Sequence, residues 1–327
     1  MSKKMILLAL CSLLLAPCSA AKAQQPGKVF RIGYLGGAST SAVSDRIEAF
    51  RQGLRELGYI EGENLVIEWR PAEGKFDRLP ALAAELVRLK VDVIVTGGPA
   101  STGAAKEATS TIPIVMAQDN DPVANGFVAS LARPGGNITG LATLSPEIGG
   151  KRLELLKEIV PKLSRVAVLG TSTDPANAQL LKEVEFAAGA LGVKLQYLDV
   201  LDPKDIETAF RDASKGRAEA VLALASPVLI SQRAQLADLA VKSRLPAIYY
   251  STEYVEAGGL MTYGVNLNDV ARRAATYVDK ILKGAKPADL PVEQPKKFEF
   301  IINLKAAKQI GLTIPQSVLY RADRVIK

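Results

Sequence analysis

The chain has 327 residues, 41 basic against 34 acidic side chains, a formal charge of +7, two cysteines and no histidine. Without histidine there is no Ser-His-Asp or Cys-His nucleophile, no histidine general base and no zinc site of the usual nitrogen and sulfur ligands. Basic and acidic residues are interspersed, as in Lys151-Arg152-Leu153-Glu154, so no basic stripe for nucleic acid is expected.

The first 23 residues read as a cleaved secretory signal. Lys3 and Lys4 precede an apolar run from Met5 to Leu15, and Ala21-Lys22-Ala23 supplies a small-x-small cleavage site. The run is too short for a membrane span, which needs roughly 20 residues, and no later stretch qualifies. The mature chain is expected to begin near Gln24, free in the periplasm, with charge 7 − 3 = +4 after loss of Lys3, Lys4 and Lys22. Cys11 and Cys18 leave with the signal, so no disulfide is expected. Cys18 follows Leu15-Ala16-Pro17, a poor lipoprotein signal because Pro17 stands where a small residue is wanted; acylation there is not expected.

Beyond the signal, strand and helix patterns alternate. Residues 29–35 form a β-rich run; Val43, Ile47, Phe50, Leu54 and Leu57 then give one apolar helix face, ended by Gly58. Strands follow at 65–69, 91–96, 112–117 and 137–144, with helices at 76–90, 100–109 and 122–131 between them. The same grammar restarts with helices at 148–160, 175–191, 203–215 and 228–243. The strands of this half fall at 165–169, 193–200, 220–225, 247–250 and 260–265. A helix at 267–282, a segment with three prolines at 286–295, a strand at 298–303 and a helix at 304–311 close the chain. Strict alternation implies parallel sheets with right-handed crossovers, and about 300 residues exceed one core, so two doubly wound α/β lobes are expected.

Ligands of open parallel sheets collect at the carboxyl ends of strands, beside helix N-termini. The loops there supply Tyr34, Gly37, Ser39, Thr40, Gly98, Ser101, Asp119 and Asp121 from the first half. The second half supplies Thr173, Asn177, Ser226, Tyr250 and Glu253. Taken singly, each is better explained as a helix cap or a turn; their shared topological position favours binding. Hydroxyls of Ser39, Thr40 and Ser101 suit a carboxylate, Asp119 or Glu253 an amine, and Tyr34 or Tyr250 an aromatic ring. Gly33-x-x-Gly36-Gly37 lacks dinucleotide spacing, no phosphate loop occurs, and Asp119 with Asp121 lacks the remainder of a calcium loop. No cofactor, metal or catalytic residue is expected.

Several runs carry a resemblance. Ile112-Pro113-Ile114-Val115, Asp121-Pro122-Val123 and the stretch Ser130-Leu131-Ala132-Arg133-Pro134-Gly135-Gly136-Asn137-Ile138-Thr139-Gly140 are joined by Ala257-Gly258-Gly259-Leu260-Met261-Thr262-Tyr263-Gly264 and Ile302-Asn303-Leu304-Lys305-Ala306-Ala307. Together they resemble the substrate-binding proteins of bacterial ABC transporters, over essentially the whole mature chain. The resemblance implies a type I periplasmic-binding-protein fold, with crossings near Leu144-Ser145, near Val265-Asn266 and around Val292 to Pro295. It places residues 24–144 plus 266–293 in lobe I and 145–265 plus 294–327 in lobe II. It further implies a monomer that captures a small solute, an amino acid or aromatic carboxylate, by hinge closure and delivers it to an inner-membrane permease. Some relatives bind tryptophan or tyrosine. A sensing module for a membrane signalling receptor and a secreted carboxylate-dependent enzyme are the competing readings.

Overall fold

The computed structural model describes residues 28–143 and 145–327. The expected signal peptide, its cleavage site and both cysteines lie outside these residues, as does Leu144 of the first crossing. The first sheet contains β1 (Phe30–Gly36), β2 (Leu65–Pro71), β3 (Val93–Gly97), β4 (Ile114–Asp119) and β5 (Ile138–Ala142) in the order β2-β1-β3-β4-β5, every pair parallel. Between strands run α1 (Ser44–Glu56), α2 (Leu79–Arg88), preceded by a 3₁₀ turn at Phe76–Arg78, and α3 (Pro99–Ala108).

The second sheet has the order β12-β11-β10-β9-β8-β6-β7. Its strands are β6 (Arg165–Gly170), β7 (Lys194–Asp199), β8 (Ala220–Ala223), β9 (Ala247–Tyr249), β10 (Met261–Gly264), β11 (Glu299–Asn303) and β12 (Arg324–Ile326). Its helices are α4 (Ser145–Ile159), α5 (Pro175–Leu191), α6 (Asp205–Lys215), α7 (Pro227–Ser231), α8 (Arg233–Lys242) and α9 (Thr252–Glu256). After β10 the chain returns as α10 (Leu267–Leu282) to pack on α1 and β4 of the first sheet. A last crossing leads to β11, α11 (Leu304–Gln309), α12 (Gln316–Leu319) and β12.

Successive strand residues go to opposite cores, the reason these strands read as unbroken apolar runs. Val93 and Val95 join the cluster under α1 and α10, while Ile94 joins the one under α2 and α3. Val166 and Val168 face α4 and α5; Ala167 and Leu169 face α6 and α8. Helices therefore cover both faces of both sheets.

Three local expectations fail for identifiable reasons. Residues 122–131 turn instead of forming a helix: Asp121 Oδ1 accepts from Ala124 N at 3.0 Å, and Gly126 reverses the chain at φ 68°. Residues 228–243 break at Gln232 (φ −111°, ψ 23°), where Arg233 donates to the carbonyls of Ile230 and, across the lobes, Ala42. The second sheet is mixed, because β11 runs antiparallel to β10, and β12 pairs parallel to β11. The proline-rich segment also packs more than an extended crossing would: Glu293 bridges Leu141 beside β5, with Ala142 N donating to Glu293 O at 2.8 Å.

The Asn137 to Gly140 run fixes that edge. Asn137 Nδ2 donates to the carbonyls of Thr109 and Ile112, and Thr139 Oγ1 donates to Leu290 O at 2.6 Å. Gly140 sits at φ 135°, where a Cβ would stand 2.2 Å from Met116 O, so only glycine lets β5 approach β4 here.

Candidate functional site

A cavity of about 140 Å³ lies where the carboxyl ends of the two sheets face each other. It is close in size to the ~150 Å³ apolar cavity that admits benzene, so it suits a ring-sized solute. Its first-lobe wall carries the rings of Tyr34, Trp69 and Phe76, and its second-lobe wall Ile148, Leu180, Pro227 and Tyr250. Tyr34 and Trp69 pack with centroids 4.9 Å apart, and Phe50 braces Tyr34 edge-on at 5.8 Å. A larger cavity of about 410 Å³ opens behind the crossings, lined by Leu141, Val265, Asn266 and Gln294 with the exposed Lys296 and Lys297. It lacks aromatic rings and buried polar groups converging on one point, so the first cavity is the candidate.

The lobes are closed on each other around it. Arg46 Nε of α1 donates to Glu253 Oε1 of α9 at 2.7 Å, both side chains only 8% exposed. Asn120 Nδ2 donates to Gln179 Oε1 on α5 at 3.2 Å. Gly37 faces Pro227 so closely that a Cβ would stand 3.0 Å from Pro227 Cγ.

Buried charged groups line this cavity. Arg152 is 4% exposed, donates from Nε to Tyr263 O at 2.8 Å and from Nη2 to Tyr250 O at 3.4 Å, and has no carboxylate partner among the described residues. Burial pulls its pKa down to about 10, so it remains cationic at neutral pH. Arg46, by contrast, is matched: burial, the largest single effect, would lower its pKa, but the charges of and hydrogen bonds to Glu253 and Tyr250 together raise it. Asp119, 1% exposed, accepts from Asn125 Nδ2 at 2.9 Å and Asp121 N at 3.2 Å on Oδ1, while Oδ2 has no partner. Burial pushes Asp119 up to about 7 and Asp174, whose Oδ1 caps α5 at Ala176 N, up to about 6. Two further polar atoms of wall residues are buried without partners among the described residues, Arg46 Nη2 and Trp69 Nε1. Unpaired buried polar atoms cost free energy unless something meets them. A solute with polar ends and an aromatic body meets this arrangement.

Of the residues expected from the sequence, Tyr34, Gly37, Thr40, Gly98, Ser101, Asp119, Ser226 and Tyr250 line the cavity. Ser101 lies in the first turn of α3, where backbone N–H groups lack helical partners, and Ser226 caps α7 through Val228 N and Leu229 N. The other five are placed elsewhere. Ser39 closes a turn onto Ala42 N; Asp121 closes the turn at Ala124 N; Thr173 is exposed. Asn177 is spent on Thr171 N and Ala225 O, clamping two loops of its own lobe. Glu253 is held by the Arg46 guanidinium of the protein itself instead of standing open to a ligand amine. Arg46, Arg152, Trp69, Phe76 and Asp174 were not among the expected residues. Trp69 and Phe76 end or follow a strand-end position, a signal that was there to use; the arginines lie within helices and read as solvated charges.

A family model described as ABC transporter substrate binding protein matches residues 38–326. The chain belongs to this family. It is a solute receptor of an ABC transporter, and the family is one of substrate-binding proteins, not of enzymes. The receptor is 25% identical over 266 residues to a tyrosine-binding protein of Clostridioides difficile, covering 81% of this chain and 76% of the relative. A conserved domain protein from Vibrio cholerae matches at 30% identity and TM-score 0.85, over 91% of this chain and 100% of its own. A domain from Streptococcus pneumoniae solved in complex with L-Trp matches at 26% identity and TM-score 0.82, over 91% and 99%. The fold is that of type I periplasmic binding proteins.

Proposed function

We propose that this receptor binds an aromatic amino acid in the closed cleft and presents it to an inner-membrane permease. The observation that carries the reading is Arg152: a buried cation on the cavity wall, without a carboxylate of its own, beside the aromatic surfaces of Tyr34, Trp69 and Tyr250. Its free donors suit a ligand carboxylate, with a charge-assisted bond made in a dry site. The tyrosine- and L-Trp-binding relatives support the same class. The lobes are taken as residues 24–144 plus 266–293 and 145–265 plus 294–327, moving about the three crossings as a hinge. Cleavage after Ala23 would release the monomer into the periplasm, and the solute would leave unaltered. The test is calorimetric titration of ligand-stripped protein with L-tyrosine, L-tryptophan, L-phenylalanine and glucose. Saturable heat with an aromatic amino acid and none with the sugar is expected; silence with all three aromatics overturns the reading.

A further inference from the structure

Building on the aromatic amino-acid reading, we propose that Asp119 is a specificity residue that lets the cleft close only on solutes carrying an ammonium group. Three features of its placement support this. Asp119 ends β4 on the cavity wall, 1% exposed, with Oδ2 lacking any partner among the described residues. Its backbone is tied to the first crossing, Thr143 donating to Asp119 O through both N (2.7 Å) and Oγ1 (3.0 Å). Its neighbour Asn120 reaches across to Gln179 in the other lobe, so the loop that carries Asp119 is dried by closure itself.

Among the described residues no side-chain cation is bonded to the Asp119 carboxylate. Arg46 of α1 is held by Glu253, Arg70 of β2 by Glu85, and Arg273 of α10 by Glu293. Arg152 of α4 bonds the carbonyls of Tyr263 and Tyr250. The nearby acids do not help: Asp121 adds a like charge, and Asp174 of α5 caps its own helix. A lone carboxylate loses its hydration on closure and is disfavoured in the charged form. It has two escapes, a cation from the ligand or a proton from solvent.

The two escapes differ in pH dependence, which makes them separable. Opening of the cleft would rehydrate Asp119 and return it towards the ordinary carboxylate range; in the closed cleft burial lifts it to about 7. Closure on a ligand without an amine therefore takes up a proton, is favoured below the closed-state value and loses that advantage as pH rises through it. Closure on an ammonium-bearing ligand keeps Asp119 ionised and exchanges no proton there.

The experiment titrates L-tyrosine and 3-(4-hydroxyphenyl)propionate, which lacks only the α-amino group, into ligand-stripped protein from about pH 5.5 to 8. Two buffers of different ionisation enthalpy count the protons. L-Tyrosine is expected to change little in affinity over this range, any proton taken up by Asp174, raised to about 6, being common to both ligands. The propionate should take up close to one proton more than L-tyrosine near pH 6, weaken relative to it by up to ~10-fold per pH unit and level off above 7. In Asp119→Asn, which keeps an oxygen for Asn125 and Asp121 N, that difference in proton uptake should vanish and the preference for tyrosine should collapse. Asp238→Asn, at an exposed position of α8, should leave both in place. Equal affinity of wild type for the two ligands overturns the proposal while leaving the aromatic reading intact, as does a proton difference that persists in Asp119→Asn or vanishes in Asp238→Asn. Failure of every aromatic amino acid to bind removes the reading beneath it.

Discussion

Replacing Glu253 with Gln tests whether the ion pair across the lobes belongs to the closed state. Arg46 Nε and Glu253 Oε1 are 2.7 Å apart with 8% of each side chain exposed. Burial alone would raise the Glu253 pKa, but the charge and hydrogen bond of Arg46 outweigh it and hold the carboxyl below its usual range, so the pair is ionised at neutral pH. Removing one partner of a buried pair costs roughly 3–5 kcal/mol, because the other charge stays dry and unmatched. Glutamine still accepts the hydrogen bond, which argues for the lower end, ~3 kcal/mol. The cost falls on the conformation that buries Arg46; opening the cleft returns the guanidinium to water. The ligand-free melting temperature of Glu253→Gln should therefore stay close to wild type, while affinity for the aromatic amino acid drops roughly 100-fold at ~1.4 kcal/mol per decade. Small-angle scattering at a ligand concentration that closes wild type should show the variant still expanded. A dissociation constant within threefold of wild type would refute the argument. So would a fall in ligand-free stability of the full ~3 kcal/mol, which would place the pair inside the open form as well.

Gly37→Val puts a branched side chain where even a Cβ stands 3.0 Å from Pro227 Cγ and 3.4 Å from Phe76 Cε1. Affinity should fall about tenfold or more, with the ligand-free melt unchanged; an unaltered calorimetric titration would show that the lobes do not meet there. Trp69 is the only tryptophan of the chain and lines the cavity, so L-phenylalanine should shift its fluorescence with the same midpoint as the binding heat. Binding heat with a silent spectrum would put the solute elsewhere. Arg152→Lys keeps the charge but loses the planar fork, and should weaken aromatic amino acids by about 2 kcal/mol while sparing the corresponding amines, such as tyramine, in parallel titrations. Gly140→Ala forces a Cβ to 2.2 Å from Met116 O at φ 135°. The loss should be ~4 kcal/mol, seen as a melting temperature lower by roughly 10 °C, with the affinity of the folded fraction intact.

The alternation of strands and helices was legible because the central strands are covered on both faces, so buried runs such as Val93-Ile94-Val95 are apolar without interruption. Loops at the strand ends were legible for the same topological reason, and eight of the thirteen residues drawn from them line the cavity. What escaped depended on partners far along the chain. Glu253 reads as a free carboxylate until Arg46, 207 residues away, is brought against it. Arg152 reads as one more charge on a helix until Tyr250 and Tyr263 enclose it. The 122–131 stretch has helix-compatible residues but is governed by Gly126, whose left-handed backbone ends the first turn.

The most recognisable run of the sequence thus serves architecture. Asn137, Thr139 and Gly140 bind the edge of β5 to the β4 side and to the last crossing, and none of them lines the cavity. The polar groups of the cavity wall come instead from helices such as α4, from the end of β2 and from the Asp119 loop. On the proposal above, recognition and closure are one event, because Asp119, Arg46 and Glu253 are buried together in the closed cleft. A solute that fails to match them is rejected by the cost of closing, even where it fits the open cleft.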